Sequence, residues 1–492
     1  MKARRTHLLI GVSPALRGMS VLADTLDATP FLPDRRTLRE FLARARRDSE
    51  QVGVLLPSTQ PELILLAGLL DFDRIAVFHG PGPGARPLSP TLLRAAFAGV
   101  DLTVTPDEAS EREAVTLGAD PDRLASQSGE VRIRLFSEPR RRPGSAFFKE
   151  AAASFGLDFL AQSGALSALE RLANHGVNVV NYHRVLPLPE LRTYCRPQMA
   201  IGAPLFEAQL ETMAQARGFV PLGRMQEKEA EDRIAITFDD GYEDNFRIAL
   251  PILARFSAPA CIFVVTSLIG RPDALWWDRV GLSLFAWWRS GAEPPVPAAL
   301  PGRTAQLLEI HSYLEARTLI SEVLSDLNLA SAQARDDAVI AAESLLPRKI
   351  ARRTMLSWQE VEALSQAGVY FGSHTRSHVP LDELPPAEAK AEVEGGQADL
   401  EDRQLPRAWR ATALPRGRLG PISEAQLADR FEAVMTTEPG VNPPGATGLF
   451  VKRRDGRMLT LAGRHHPAKL RLELTGLLDP VRRLLQGDQV DY

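Results

Sequence analysis

The chain is nearly devoid of cysteine: Cys195 and Cys261 are the only two among 492 residues. That excludes a disulfide scaffold and any zinc site built from cysteines alone, and it suits a reducing compartment. Long apolar runs are also missing. Leu8–Val12, behind the basic start Met1–Arg5, is too short for a signal-peptide core, and nothing approaches the ~20 apolar residues of a spanning helix. The expected location is therefore the cytoplasm. Contact with a membrane surface stays open through the segment Ala151–Leu172, where Phe155, Leu157, Phe159, Leu160, Leu166 and Leu169 recur at helical intervals, although packing against a domain is the plainer reading. Neither charge sign dominates: 58 basic and 61 acidic residues leave a net charge of −3, so no basic field points to nucleic acid. No repeat at solenoid spacing is visible.

What is present suits two to four soluble domains, with 45% hydrophobic and 24% charged residues. Residues 1–125 alternate between strand and helix patterns. The expected strands are Leu8–Val12, Val52–Leu56, Arg74–His79 and Asp101–Thr105. The expected helices are Arg36–Arg46, Gln60–Leu70, Thr91–Ala98 and Asp107–Leu117. This is the pattern of a small, Rossmann-like parallel α/β domain. Val77–Gly84 is glycine-rich, but its prolines remove N–H donors and no Gly-Lys-Ser/Thr follows, so it reads as a plain loop. Residues 126–150, with Pro139, Arg140–Arg142 and Pro143-Gly144, read as a linker, and a helical segment continues to residue 175.

One stretch organises the rest: Ile234-Ala-Ile-Thr-Phe-Asp-Asp-Gly-Tyr-Glu-Asp-Asn-Phe246. A short β run meets a paired acid, a glycine and then a helix, the way α/β folds present chemistry at strand carboxyl ends. Asp239 and Asp240 cannot cheaply share a dry site as free anions, so one of them is expected to meet a cation. The plainer alternative is a pair of solvated acids capping the helix that follows. Downstream, Gly368-Val-Tyr-Phe-Gly-Ser-His-Thr-Arg-Ser-His378 repeats the pattern and ends in His374 and His378. One Asp and two His make a three-ligand set with a coordination position left for water. Taken alone, the His pair could equally be two polar surface histidines. Ser373, Thr375 and Ser377 are expected to hydrogen-bond and orient the rings. Ser357–Gly368 reads as a helix with a capping box, Ser357 and Glu360, that delivers the chain into this segment.

The two motifs, in this order, resemble the polysaccharide deacetylases, the NodB-homology carbohydrate esterases, over roughly residues 177–460. The resemblance implies a distorted (β/α) barrel over 176–460, followed by a C-terminal tail, 461–492. Its first strand would be Gly176–Val185, and Phe206–Gly218, Asn245–Phe256, Ala258–Thr266, Ala408–Leu414, Ala433–Thr437 and Phe450–Arg454 would be further elements. Residues 267–355 fit neither strand–helix repetition nor the family core. They hold Trp276, Trp277, Trp287 and Trp288 and read as a helical insertion bordering the groove. By the same resemblance Asp240, His374 and His378 are metal ligands, with zinc first and cobalt or nickel as substitutes, and Asp239 is the catalytic base. Pro415, Arg416 and Gly417 lie where the family lines its groove and offers a backbone N–H to the oxyanion. The arginine that precedes this motif in many members is missing, since Ala413 stands there. Arg416 and Arg454 are the candidates to replace it as partner of Asp239. His183 is a candidate acid or substrate contact. Leu461–His466 has the wrong spacing for the family's late histidine. A looser likeness joins Ala98–Arg123 to the first half of a two-lobed glycosyltransferase.

The resulting expectation is a metal-dependent N-deacetylase of an N-acetylated glycan or lipid-linked sugar in exopolysaccharide or other cell-surface glycan biosynthesis. The rivals are a related amidohydrolase acting on another amide or imide, an inactive scaffold in a glycan-assembly complex, and a two-step glycosyltransferase–deacetylase. The oligomeric state has no signature in the sequence.

Overall fold

In the computed structural model, the runs of aliphatic residues become parallel strands. The structure describes residues 6–11, 29–31, 51–57, 74–78, 90–97, 100, 102–105, 107–121 and 124–126 of the first part. From 144 to 482 it describes all but 174, 272–274, 293–294, 311–312, 349, 351–352, 444, 446–447 and 481. The chain forms two compact units. One comprises Met1–Ala165 with Glu309–Thr318 and Thr460–Lys469. The other comprises Leu166–Leu308, Leu319–Leu459 and Leu470–Tyr492.

The first unit holds β1 (Thr6–Gly11), β2 (Thr29–Phe31), β3 (Gln51–Pro57), β4 (Arg74–Phe78), α1 (Pro90–Phe97), β5 (Leu102–Thr105), α2 (Glu108–Thr116), β6 (Leu124–Ser126) and α3 (Gly144–Gln162). Its strands pair in parallel in the order β2-β1-β3-β4-β5-β6. Asp107 caps α2 by accepting from Ser110 N–H at 2.7 Å. Arg94 of α1 pairs with Asp158 of α3 at 2.6 Å. The expected helices Arg36–Arg46 and Gln60–Leu70, the Val77–Gly84 loop beyond Phe78 and the arginine run 140–142 lie outside the described residues. The stretch read as linker gives up its last residues to α3, which starts at Gly144.

The second unit continues with α4 (Ala165–Leu172), β7 (Val177–Tyr182), β8 (Arg184–Leu186), α5 (Leu188–Thr193), β9 (Ala200–Gly202), α6 (Ala203–Ala216), β10 (Ile234–Phe238), α7 (Leu250–Arg255) and β11 (Ala260–Val264). After these come α8 (Trp276–Ser290), α9 (Tyr313–Asn328), α10 (Ala332–Ser344), α11 (Trp358–Gln366), β12 (Tyr370–Ser373), α12 (Pro386–Glu401), β13 (Ala408–Ala413), α13 (Glu424–Arg430), β14 (Ala433–Met435), β15 (Val441–Asn442), β16 (Phe450–Val451), β17 (Arg454–Asp455) and α14 (Pro467–Leu474).

A nearly closed, mostly parallel sheet runs β15-β7-β10-β11-β12-β13-β14-β16, and β17 pairs back onto β7. This is the expected distorted (β/α) barrel. Strands β7, β10 and β11 are buried along their whole length, as parallel strands covered on both faces must be. Val177, Val179, Ala235, Cys261, Phe263, Ala411, Ala413 and Met435 pack together in one core. Phe206 of α6 meets Tyr182 edge-on at 4.9 Å and so docks its helix on the sheet. Both cysteines are buried, and neither is in a disulfide.

Between β11 and α11 the described residues form helices and no strand paired into the barrel sheet. The expected helix Asn245–Phe256 differs at its start. Asn245–Ala249 is a π turn, followed by α7, where Pro251 has no N–H for the carbonyl four residues back. No helix among the described residues is long and apolar enough to cross a membrane.

The capping box of α11 forms as expected. Ser357 Oγ accepts from Glu360 N–H at 3.2 Å, and Glu360 Oε2 accepts from Ser357 N–H at 2.8 Å. A hydrogen bond from Arg353 holds the Glu360 carboxyl down at about 2. Ser357→Ala should cost about 1 kcal/mol, read as a lower urea midpoint at unchanged slope. A depressed carboxyl contributes stability above its unfolded pKa and loses it as pH falls through its folded one. The difference between wild type and Glu360→Gln should therefore shrink as pH drops from about 4 toward 2.

Candidate metal centre

Each motif reaches the site because a buried strand ends there. β10 stops at Phe238, and Asp239 and Asp240 follow. β12 stops at Ser373, and His374 follows, its N–H bonded to Val264 O of β11 at 2.8 Å. Gly372 permits this close packing, since a Cβ there would come within 2.6 Å of Phe263 and 2.7 Å of the Ala411 carbonyl. Four non-glycine residues at the site have left-handed backbones: Asp240 (φ 74°), Thr375 (62°), His378 (63°) and Arg416 (56°). Such conformations are costly and persist where surrounding structure holds them, often at functional sites.

Asp240, His374 and His378 converge. Their ligand atoms lie within 4.8 Å of one another, and each histidine Nε2 is 3.5 Å from Asp240 Oδ1. Ligands 2.0–2.1 Å from a tetrahedral ion stand roughly 3.3–3.4 Å apart, so two of the three edges are nearly at the spacing of a tetrahedral site. Both Asp240 oxygens are buried and accept no hydrogen bond among the described residues. Burial, then the charges of Asp239 and Asp278, push its carboxyl well above the usual range. A cation would relieve all three penalties. Burial also lowers both imidazole pKa values, leaving neutral rings with a lone pair to give. Nδ1 of His374 lies 2.7 Å from Ala413 O. A carbonyl can only accept, so the proton sits on Nδ1 and Nε2 offers its lone pair to the centre. The donor set therefore fits a divalent ion.

The hydroxyls expected to orient the rings do other work. Thr375 Oγ1 accepts from the His378 N–H at 3.2 Å, Ser377 Oγ donates to Glu392 at 2.7 Å, and Ser373 Oγ has no hydrogen-bond partner among the described residues. The His374 ring is fixed instead by a backbone carbonyl, and His378 packs edge-on against Trp277 at 5.1 Å. Trp277 is buried and donates from Nε1 to Tyr242 Oη at 3.0 Å, while Trp276 is half-buried and lines the cavity.

Asp239 stands beside this set in a different environment. Arg453 grips it bidentately, Nη1 to Oδ1 at 2.7 Å and Nη2 to Oδ2 at 3.0 Å, and Asn181 Nδ2 donates at 3.1 Å. Burial pushes this carboxyl up, but Arg453, His374 and His183 outweigh it and hold Asp239 below the ordinary range. The arginine partner is thus neither of the two candidates. Arg454 is fully buried and paired with Asp479 and with Asn178 Oδ1 at 3.1 Å. Arg416 donates to Asn328 O at 2.8 Å and to Glu383 at 3.4 Å. Successive side chains of an extended chain point to opposite sides, so a one-residue difference separates site from support. Sequence reasoning missed Arg453, and its only local signal was the arginine pair itself.

His183 lines the same cavity, Nε2 3.9 Å from Asp239 Oδ2, and burial lowers its pKa to about 4. The turn Leu414–Gly417 lines the cavity too, with both Arg416 and Gly417 at positive φ. The cavity measures about 360 Å³, and α8, α9 and α10 contribute to its wall through Trp276, Asn328 and Arg335. Leu461–His466 is not part of it: His465 and His466 are buried in the first unit.

Residues 226–429 match the family model for polysaccharide deacetylases. Over these residues the chain is similar to the polysaccharide deacetylases of the NodB type. YxkH of Bacillus subtilis (strain 168), whose name assigns it to the polysaccharide deacetylases, is 42% identical over 48 residues, 10% of this chain and 17% of YxkH. Among solved structures, the Streptococcus pyogenes deacetylase PplD in complex with acetate is 17% identical over 58% of this chain and 96% of PplD, with a TM-score of 0.37. IcaB from Ammonifex degensii is 19% identical over 61% of this chain and 98% of its own, with a TM-score of 0.38. The glycosyltransferase likeness of Ala98–Arg123 gains no support from these comparisons and is not carried further. Asn181, His183, Arg196 and Arg453 all lie outside the matched residues.

Proposed function

We propose that this polysaccharide deacetylase domain hydrolyses the N-acetyl group of an N-acetylated sugar, with a divalent ion, zinc first, held by Asp240, His374 and His378. One observation carries the reading: an unpartnered buried carboxylate faces two imidazole nitrogens beside a second carboxylate kept anionic by Arg453. When bound there, the ion would supply Lewis-acid polarisation and would lower the pKa of a water. Asp239, held in its basic form, takes the proton of the attacking water. Arg453 and Asn181 fix its oxygens, so that it need not reorganise. The backbone N–H at Arg416 donates to the oxygen on which charge develops. The proton that Asp239 takes up is then the one available to the leaving nitrogen, with His183, neutral and 3.9 Å from Asp239 Oδ2, as the candidate to relay it. A role in cell-surface glycan assembly, a cytoplasmic location, a lipid-linked substrate and the domain bounds 1–125, 126–175, 176–460 and 461–492 belong to the same proposal.

The rival amidohydrolase keeps the centre and changes the bond. Product analysis separates the two. Incubation with an N-acetylated oligosaccharide should release acetate and leave one free amine per acetate, and a cyclic imide should stay intact. Imide opening without acetate release would replace the deacetylase reading.

A further inference from the structure

One cation of the cavity wall, Arg196, has no carboxylate partner among the described residues. Arg196 follows α5 and is only 8% exposed, and its side chain lines the cavity. Its guanidinium lies over the Trp277 ring at 4.7 Å, and Trp277 in turn packs on His378 at 5.1 Å. Other arginines of this wall are matched: Arg453 to Asp239, Arg457 to Asp455, Arg335 and Arg416 to Glu383, Arg279 to Glu343. Arg196 has no carboxylate within ion-pair distance among the described residues, and its buried Nε has no hydrogen-bond partner. The acids whose charge it feels are Asp278, which faces Arg184 at 3.9 Å, and Asp240, whose oxygens face the histidines. A buried, unmatched guanidinium is costly unless something supplies an acceptor. Its planar fork suits an oxyanion, and stacking on an indole holds that plane still.

We propose that Arg196 selects the substrate: it takes an anionic oxygen group, carboxylate or phosphate, carried by the N-acetylated sugar near the acetamide being cleaved. This rests on the deacetylase reading. It predicts that the preferred substrate is an acidic or phosphorylated acetamido sugar rather than a neutral one. The stacked position also admits a plainer role, in which Arg196 only props Trp277 beneath His378.

The test compares acetate release from three probes: N-acetylglucosamine 1-phosphate, the corresponding 2-acetamido uronate, and the neutral methyl glycoside of N-acetylglucosamine. The expected result is a preference of the wild type, in kcat/KM, for at least one anionic probe. Whichever anionic probe leads identifies phosphate or carboxylate as the group. Arg196→Met should cut that preference by roughly 10–100-fold, mainly through KM, with Arg196→Lys in between. Metal content should stay at one ion per chain in both variants. A preference unchanged in Arg196→Met, or equal losses on all three probes, would overturn the proposal and leave the propping role. Calorimetric binding of the sugar phosphate to metal-loaded wild type and Arg196→Met keeps the two claims apart. Arg196-dependent binding without any acetate release would sink the deacetylase reading, and with it the claim about the cleaved acetamide, while supporting the contact between Arg196 and the anionic group. Equal binding to both proteins would sink the Arg196 assignment whatever the activity.

Discussion

Asp240→Asn should strip the divalent ion from the folded protein, whereas Asp239→Asn should keep it and lose roughly 10²–10⁴-fold in kcat, the usual effect of removing a general base. The two residues are adjacent, yet their surroundings differ in kind. Asp240 has two buried oxygens with no hydrogen bond, facing Nε2 of His374 and His378 at 3.5 Å. An amide there is a neutral and much weaker ligand. Asp239 has both oxygens occupied by Arg453 and Asn181. Replacing it by Asn turns an NH2 toward donors, so Asp239→Asn should also melt earlier, and its kcat must be taken on the folded fraction. Elemental analysis of both variants, beside acetate release, is the measurement. Equal metal loss in the two would mean that both acids bind the ion and the base lies elsewhere.

A second contrast between neighbours should be nearly as large. Arg453→Met and Arg454→Met each orphan a buried carboxylate, Asp239 in the first case and Asp479 in the second. Each should therefore cost about 3–5 kcal/mol of stability, the range for breaking a buried pair from one side. Their activities should part. Without Arg453, burial acts on Asp239 with its main opposing charge gone, so its pKa rises and the base form is lost as pH falls through the new value. Arg453→Met should thus lose activity first on the acid side of the pH profile. Arg454→Met, once folded, should match wild type in kcat/KM at every pH. Urea melts and pH–rate profiles on the folded fraction check both statements. An Arg454→Met protein that is folded but as inactive as Arg453→Met would show that the site extends to Asp479.

These contrasts mark where the sequence was informative. The cluster of Asp240, His374 and His378 was legible because each member is local: a buried β run ends, and the acid or the first histidine follows at the strand's carboxyl end. The Ser357–Glu360 box was legible for the same reason, since both partners fall within one turn. Arg453 was not, because it meets Asp239 across 214 residues of chain, and nothing local tells Arg453 from Arg454. Only the register of the link between β16 and β17 does. The His374 ring offers the same lesson. Nearby hydroxyls looked like its partners, but the Ala413 carbonyl, 39 residues away on the neighbouring strand, holds it. The π turn at Asn245–Ala249 was hidden as well, because composition alone predicts a helix but not its pitch. The insertion was visible as helix, yet that Trp276, Asn328 and Arg335 would line the same cavity as the ligands depends on packing.

The most direct test is acetate release measured against metal occupancy. The protein is stripped with a chelator and reloaded in steps with zinc, and then with cobalt or nickel, in the presence of an N-acetylated oligosaccharide. The account predicts saturation at one ion per chain, with acetate release rising in proportion and one new amine for every acetate. Full-rate release from the stripped protein, or a fully loaded and folded protein that frees no acetate from any N-acetylated sugar, would contradict it.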